Sequence, residues 1–460
     1  MWSCLEYRLE DGVSTALDDH WALRSDGSDV RITPRIAIGD DHGSIHKPAV
    51  SGTPAAVAAW LIEQLQTPIS NGGFQYDRSN SLADVASGGI VSADFNKDGL
   101  KDVALALSNG QVAVLKGSSG GGALLSAPSY FSVGAEVTQI VAFDGDRDDK
   151  VDLVLVGENE VQIWHGQGDG NFTDKVTLDQ WGSDFPVSVA TADLTGDEHP
   201  DLVVLTDGCE LFLLEGGGAS RFWNSPVSLG FLPGASGANG LALYMEDLDD
   251  DGVCDLLASN IDSGSSSNVF FAVGSRLGNG STTFSLGSAS QILDDREKDG
   301  TFPLNVGVAD FDGDDNRDIV TLSGGIASEA VFFFNDGAGS FGNSVYKEGD
   351  LPQSVHALAW ADCDGDGYLD VLAARGTSVV FYRRGHQSNG LLLDYYEEGL
   401  SGFSPFSSVV LGDFNGDGHL DFASAGGADN RLATYRGGVY DGPGSGDGGD
   451  LDEIIPKPRR

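Results

Sequence analysis

The chain is 460 residues long and strongly acidic, with 26 Lys and Arg against 70 Asp and Glu and a formal charge of -44. That balance argues against nucleic acid and anionic membrane surfaces as partners, because neither offers a counter-charge. No apolar run approaches the about 18 residues of a membrane-spanning helix, so no direct membrane insertion is expected.

Residues 1–68 read as an N-terminal extension. The first 20 residues are acidic where a signal peptide would need a basic start and an apolar run, so no secretion signal is visible. Either the protein is intracellular, or this is the mature part or a fragment of something exported. Within Ser51-Gly52-Thr53-Pro54, Thr53 suits a helix cap and Pro54 a first turn. A helix near 54–66 would place Ala58, Leu61, Ile62 and Leu65 on one face, as a cover for an edge or an end of the fold built by residues 69–440.

From residue 69 to 440 the chain is organised by one nine-residue stretch. Its fullest copy is Asp362-Cys363-Asp364-Gly365-Asp366-Gly367-Tyr368-Leu369-Asp370, and variants begin at Asp94, Asp144, Asp193, Asp247, Asp310 and Asp413. The spacing between starts runs from 49 to 63 residues, which marks a repeat protein, and a repeat array can use such a length as one domain. Positions one, five and nine are always Asp: Asp94/Asp98/Asp102, Asp144/Asp148/Asp152, Asp193/Asp197/Asp201, Asp247/Asp251/Asp255, Asp310/Asp314/Asp318, Asp362/Asp366/Asp370 and Asp413/Asp417/Asp421. Position three varies as Asn96, Asp146, Thr195, Asp249, Asp312, Asp364 and Asn415.

Carboxylates at positions one, three, five and nine can converge only in a tightly folded loop, where they would repel one another. A hard cation removes the conflict. Calcium takes six to eight oxygens, and alternating acids followed by Gly match the start of a calcium loop. A calcium-binding helix–loop–helix would close on a Glu at position twelve inside a helix; here the stretch closes at nine and runs into an apolar strand, as in Val371-Leu372-Ala373-Ala374. A lone Asp-Gly run would be an ordinary turn, but seven registered copies are not chance. The seven loops hold 29 acidic and 5 basic residues, so they supply -24 of the charge and bound calcium would offset much of it.

Around each loop the pattern repeats. A short apolar strand precedes it (Gly89–Ala93, Val306–Ala309, Ala357–Trp360), a second follows (Val103–Leu107, Leu153–Val156), and then a third (Gln111–Leu115, Val161–Trp164). Gly-rich turns such as 168–172 and 336–341 lead into a weaker fourth strand. Four strands in about 50 residues make one blade of a β-propeller. The expected fold is therefore all-β, a seven-bladed β-propeller of four-stranded blades with the loops between first and second strands. The last repeat lacks a fourth strand, while Asn71–Tyr76 carries a fourth-strand signature without its preceding three. Residues 72–77 are expected to complete the last blade and hide its edge.

Ala93 to Asp102 and Asn335 to Phe341 resemble the FG-GAP or VCBS repeat, and the likeness covers about residues 69–440. Such repeats build the propellers of integrin alpha chains, of fungal lectins and of many bacterial surface proteins. The resemblance implies up to seven Ca²⁺ ions held by positions one, three, five and nine and by the main-chain carbonyl of position seven. That last position is Leu100, Lys150, His199, Val253, Asn316, Tyr368 or His419. Asp149, Glu198 and Asp315 depart from the pattern by replacing Gly at position six, where a left-handed turn suits Glu least.

No nucleophile elbow, zinc-protease helix or phosphate loop is present, and no catalytic residue is assigned. The His residues are scattered, and the side chains of His199 and His419 are expected to face solvent. Cys254 and Cys363 read as small apolar fillers, while Cys4 and Cys209 are left open as to pairing. Two functions stand. One is an exported binding or adhesion module for a protein or glycan, monomeric or part of a larger surface protein. The other is a propeller enzyme acting on polysaccharide. Loops of this kind are expected to bind calcium at roughly 10⁻⁴ to 10⁻³ M, which places the working protein outside the cytoplasm.

The longest interval, from Asp247 to Asp310, holds extra residues at Ile261–Asn268 and Leu293–Thr301. Asn171-Phe172-Thr173 and Asn279-Gly280-Ser281 fit glycosylation acceptors. Residues 441–460 read as a flexible Gly/Asp-rich tail. The seven sites are expected to be unequal. The third, with Thr195 and Glu198, should be weakest, and the fourth and sixth should fill first.

Overall fold

A computed structural model describes residues 6–9, 30–36, 45–46, 50–52, 74–82, 85–134, 136–216, 225–232, 239–261, 267–272, 274–276, 282–284, 290–294, 302–311, 314–324, 330–341, 345–347, 355–363, 369–375, 378–384, 393–399, 406–426 and 430–437. The helix expected at 54–66 and the tail at 441–460 lie outside these residues. Every regular element among them is a β-strand. Ahead of the repeats, Glu6–Leu9, Val30–Ile36, Ile45–His46 and Val50–Gly52 form a small antiparallel sheet. Its long strand alternates Val30, Ile32 and Ile36, a period of two that Pro34 interrupts.

Seven four-stranded antiparallel sheets come after it. The first holds Val85–Ala93, Asp102–Leu107, Gln111–Leu115 and Ser129–Ser132, and the second Val137–Phe143, Asp152–Gly157, Val161–Gly166 and Phe172–Leu178. Position nine of the acidic stretch is always the first residue of a second strand. It pairs with the residue just before the loop, as Ala93 with Asp102 and Phe143 with Asp152. The loop is thus the connection of a hairpin in a fixed register. The last sheet is ordered Phe406–Gly412, Asp421–Gly426, Arg431–Gly437 and then Phe74–Ser81, so its fourth strand comes from before the first repeat.

The second strands Asp102–Leu107, Asp152–Gly157 and Asp201–Thr206 are buried along their whole length, which explains their largely apolar sequences. Alternate residues face opposite neighbours. Val103, Leu105 and Leu107 pack with Phe414, Ala423 and Leu432 of the last sheet, whereas Ala104 and Ala106 pack with Leu153 and Leu155 of the second. Val154 and Val156 in turn meet Leu202 and Val204 of the third. Apolar cores therefore lie between consecutive sheets rather than at one centre. The first strands also succeed one another in space, and Phe406–Gly412 returns to lie beside Val85–Ala93. Sheets packed face to face around a closed ring are the propeller type of architecture.

The loops bolt neighbouring sheets together. Position two is a buried apolar residue in Phe95, Leu194, Leu248, Phe311 and Phe414. Phe95 meets Phe172 of the next sheet edge to face at 5.4 Å, and burying such a ring contributes about 1.5–3 kcal/mol. The second loop has Gly145 there, and the Phe143 ring fills the space that a Cβ would occupy. Main-chain carbonyls of position two accept bonds from the following sheet: Gly170 N–H to Phe95 at 3.0 Å, Thr282 N–H to Leu194 at 2.5 Å, and Asn335 Nδ2 to Leu248 at 2.5 Å. Ser118 N–H does the same to Phe414 at 2.8 Å, which ties the last loop to the first sheet. In the fourth sheet a hairpin of Gly274–Arg276 and Thr282–Phe284 sits between third and fourth strands, so part of the longest interval is ordered there.

Candidate functional site

Each acidic loop is wound by its own carboxylates. In the first, the Asp94 carboxylate accepts the N–H groups of Asp98 at 3.2 Å and Gly99 at 2.9 Å, and Asp98 accepts that of Leu100 at 2.9 Å. The second, fourth and fifth loops repeat this with Asp144, Asp247 and Asp310 at position one and Asp148, Asp251 and Asp314 at position five. The third and seventh wind differently. Asp193 and Asp413 take the N–H of position four, Gly196 at 2.7 Å and Gly416 at 2.6 Å, instead of that of position five. Position five still binds position seven there, with Asp197 accepting from His199 and Asp417 from His419, both at 2.9 Å.

Position nine has a second role that the sequence did not suggest. Asp102, Asp152, Asp201, Asp255, Asp318, Asp370 and Asp421 are each at most 1% exposed. One oxygen accepts the N–H of position two, as from Phe95 at 3.0 Å, Leu248 at 2.9 Å and Phe414 at 3.0 Å. The other reaches the end of the third strand, at Gly117, Gly166, Gly216, Gly274, Asn335 or Gly437, at 2.7 to 2.9 Å. The carboxylate thus braces the loop against the third strand. Gly suits this partner position because a Cβ on Gly166, Gly216, Gly274 or Gly437 would strike the carbonyl of the eighth loop residue. A Gly closing the third strands, replaced by Asn335 in the fifth, was the available signal.

Burial raises several of these acids despite the hydrogen bonds they accept, Asp102 and Asp255 to about 6 and Asp421 to about 7. Burial also lifts Asp201, Asp144 and Asp249, and nearby Asp251 adds to the rise at Asp249.

Two loops gather acids as a cation site requires. Asp144, Asp146 and Asp148 bring ligand atoms within 4.8 Å of one another, and so do Asp247, Asp249 and Asp251. Among the described residues the third and seventh loops form no such group; Thr195 and Asn415 stand at their third positions. Asn96 in the first loop donates to Asp98 at 3.0 Å. Asp312, Asp364, Asp366 and Tyr368 lie outside the described residues, and Asp362 is half-buried.

Position six takes the left-handed backbone expected of it, with φ 63° at Asp149, 68° at Glu198 and 72° at Asp315. Position four does so as well, at Lys97, Arg147 and Asp250, where no Gly gave warning. His199 and His419 are half-buried rather than facing solvent. His165, unremarked in the sequence, is buried beside the second loop, its Nδ1 at 3.5 Å from Asp152 Oδ2 and 3.8 Å from Asp146 Oδ2. Among the described residues no helix is long and apolar enough to cross a membrane.

The family model described as FG-GAP-like repeat matches residues 144–204, 310–373 and 362–424. The chain carries FG-GAP-like repeats. No curated protein matches it. Among solved structures, BBS1N in complex with ARL6DN, soaked with lead, superposes with a TM-score of 0.51 at 11% identity, covering 80% of this chain and 97% of that one. A mercury-soaked crystal of the same complex gives 0.50 at 11% identity, over 79% and 96%. A lectin of Agrocybe aegerita that recognises non-reducing terminal N-acetylglucosamine gives 0.47 at 18% identity, over 68% and 81%. The BBS1N likeness is one of fold, a propeller-type array.

Proposed function

We propose that the chain is a seven-bladed, calcium-stabilised β-propeller working outside the cytoplasm as a binding or adhesion module for a protein or glycan. The observation that carries this reading is the convergence of Asp247, Asp249 and Asp251 in a loop whose fourth acid, Asp255, is fixed to the scaffold. The donor set is all oxygen and multiply anionic, which fits a hard divalent cation. Asp247, Asp249, Asp251 and Asp255 would hold the ion in the fourth loop. Calcium would supply the counter-charge that lets these acids stay ionised side by side.

Function as a binder is argued from what the residues are spent on. The loop acids wind turns, brace strands and gather at cation sites, and the ring they stabilise presents its other loops on a rigid frame. BBS1N, of the same architecture, was crystallised with ARL6DN; for this chain a protein or glycan partner is the proposal, since fold alone does not set function.

The test is a calcium titration read by thermal melts, with glycan-array binding set against a polysaccharide depolymerisation screen. Chelation is expected to lower the melting temperature reversibly. At a hundredfold excess over its dissociation constant one site adds about 2.7 kcal/mol, and Asp251→Asn should remove most of one site's share while Asp197→Asn removes less. Indifference to chelator would overturn the calcium reading, and depolymerisation of a polysaccharide would overturn the binding-module reading.

A further inference from the structure

The second loop differs from the others in what surrounds its acids. Lys150 Nζ contacts Asp148 Oδ2 at 2.5 Å, so position five already has a cation. Asp144 accepts the N–H groups of Asp148 at 3.1 Å and Asp149 at 2.9 Å, as position one does in the first, fourth and fifth loops. Asp146 and Asp152 also face His165, the last residue before the Gly166 that stands on Asp152. At the same place the first, third, fifth and last sheets carry Lys116, Glu215, Phe334 and Arg436. An imidazole here belongs to the second sheet alone among these.

Asp146, Asp152 and His165 are all buried, with side-chain exposures of 6%, 1% and 2%. Their ligand atoms lie within 4.8 Å of one another. The Nδ1 distances of 3.5 and 3.8 Å exceed the about 3.2 Å limit of a good N–H···O bond. They suit a shared ion better: a tetrahedral centre with bonds of about 2.0–2.1 Å sets its ligand atoms about 3.3–3.4 Å apart. One imidazole with two carboxylates is also a different donor set from the oxygen-only loops. Nitrogen ligation favours ions of the zinc class over hard calcium.

We propose that Asp146, Asp152 and His165 form a buried site for a borderline divalent ion of the zinc class, so that one loop of the array differs from the rest in metal selectivity. This rests on the reading of the loops as cation sites. His165 would bind through Nδ1 with its proton on Nε2, and a water would take the fourth position. Asp152 would ligate while still accepting the N–H groups of Gly145 at 3.0 Å and Gly166 at 2.7 Å, as an outer brace for the site.

The experiment dialyses metal-stripped full-length protein against zinc in millimolar calcium and magnesium, and counts retained zinc by elemental analysis. Wild type is expected to keep one zinc per chain. His165→Gln should weaken zinc by more than about 100-fold, beyond the range for loss of an outer partner, and Asp146→Asn should act likewise, while Asp249→Asn in the fourth loop leaves zinc retention unchanged. Cobalt added to wild type should give the strong visible absorption of a tetrahedral site, a readout independent of how the variants fold. Equal zinc retention by wild type and folded His165→Gln would overturn the proposal. So would no retention at all. Calcium-dependent melting that persists while zinc retention fails would sink this inference and leave the calcium reading standing; loss of both would sink both.

Discussion

The third and fourth loops carry the same nine-residue pattern and use it differently. In the fourth, Asp247, Asp249 and Asp251 converge, and Asp249 is held above the usual carboxylate range by burial and by Asp251. In the third, Thr195 stands between the acids, and its own N–H is drawn to Asp201 at 2.9 Å, so that one carboxylate accepts from Leu194, Thr195 and Gly216. The brace is common to both, as are the bonds from the N–H of position six to position one and of position seven to position five. The difference separates two roles within one stretch: position nine builds the hairpin whatever else the loop does, and among the described residues positions one, three and five bring three carboxylates together in the second and fourth loops.

The sharpest way to break this division is to remove the brace and the candidate ligand in the same loop. Asp255→Ala leaves the N–H groups of Leu248 and Gly274 without the acceptor they meet at 2.9 and 2.7 Å in a buried setting. Hydrogen bonds to charged groups are worth about 1.5–3 kcal/mol each, so a loss of about 3–5 kcal/mol is expected in denaturant unfolding with chelator present. Asp251→Ala, exposed at the loop tip, should cost less than about 1 kcal/mol under the same conditions. Equal losses would mean that position nine has no special structural role.

Much of this was legible in the chain because both signals repeat. The acids recur in register, and each second strand is apolar on both faces, so loop, hairpin and four-stranded unit could be read from spacing. The strand that completes the last sheet was signalled by Gly73-Phe74 standing without its preceding three strands; it is described over Phe74–Ser81, past the expected end at 77, while 72 and 73 lie outside the described residues. What was not legible depends on contacts between segments far apart in sequence. The meeting of Asp152 with Gly166, or of Asp146 with His165, carries no local periodicity. The substitution of Phe143 for a position-two side chain is likewise visible only once Gly145 lies under its ring.

Acidity offers a gentler probe of the same contrast. Asp102 and Asp255 titrate near 6 and Asp421 near 7 because burial outweighs the backbone hydrogen bonds that favour their charge. The folded chain therefore holds protons that the unfolded chain has released between about pH 4 and pH 6–7. Stability from these groups is greatest at the low end of that window and falls as pH rises through it. Asp148, where Lys150 outweighs burial and lowers the value, acts only below the window. Melting temperature in chelator should fall from about pH 4.5 to about pH 7.5, and calcium should flatten or reverse the slope by favouring the ionised form. A melting temperature that climbs with pH in chelator would show that the brace carboxylates are ionised throughout.

The smallest effect separates two causes of weakness in the third loop. Glu198 adopts φ 68° where Gly252 of the fourth loop has φ 80°. A left-handed backbone costs an L-residue about 1–2 kcal/mol, and Gly loses about 0.5–1 kcal/mol more than Ala in chain entropy on folding, so Glu198→Gly should gain about 0.5 kcal/mol. Its N–H to Asp193, at 3.0 Å, does not depend on the side chain. The exposed contact of Arg147 with Glu198 at 3.4 Å would be lost, but such pairs are worth about 0–1 kcal/mol, and Arg147→Ala measures that share separately. In the fourth loop Gly252→Glu should lose about 0.5 kcal/mol, the same balance with opposite sign. Thr195→Asp supplies the missing acid without touching the turn. If calcium affinity in the third loop rises with Thr195→Asp and not with Glu198→Gly, the ligand and not the backbone limits it; a stabilisation by Glu198→Gly that appears only with calcium present would show the turn to be strained by the ion rather than by the fold.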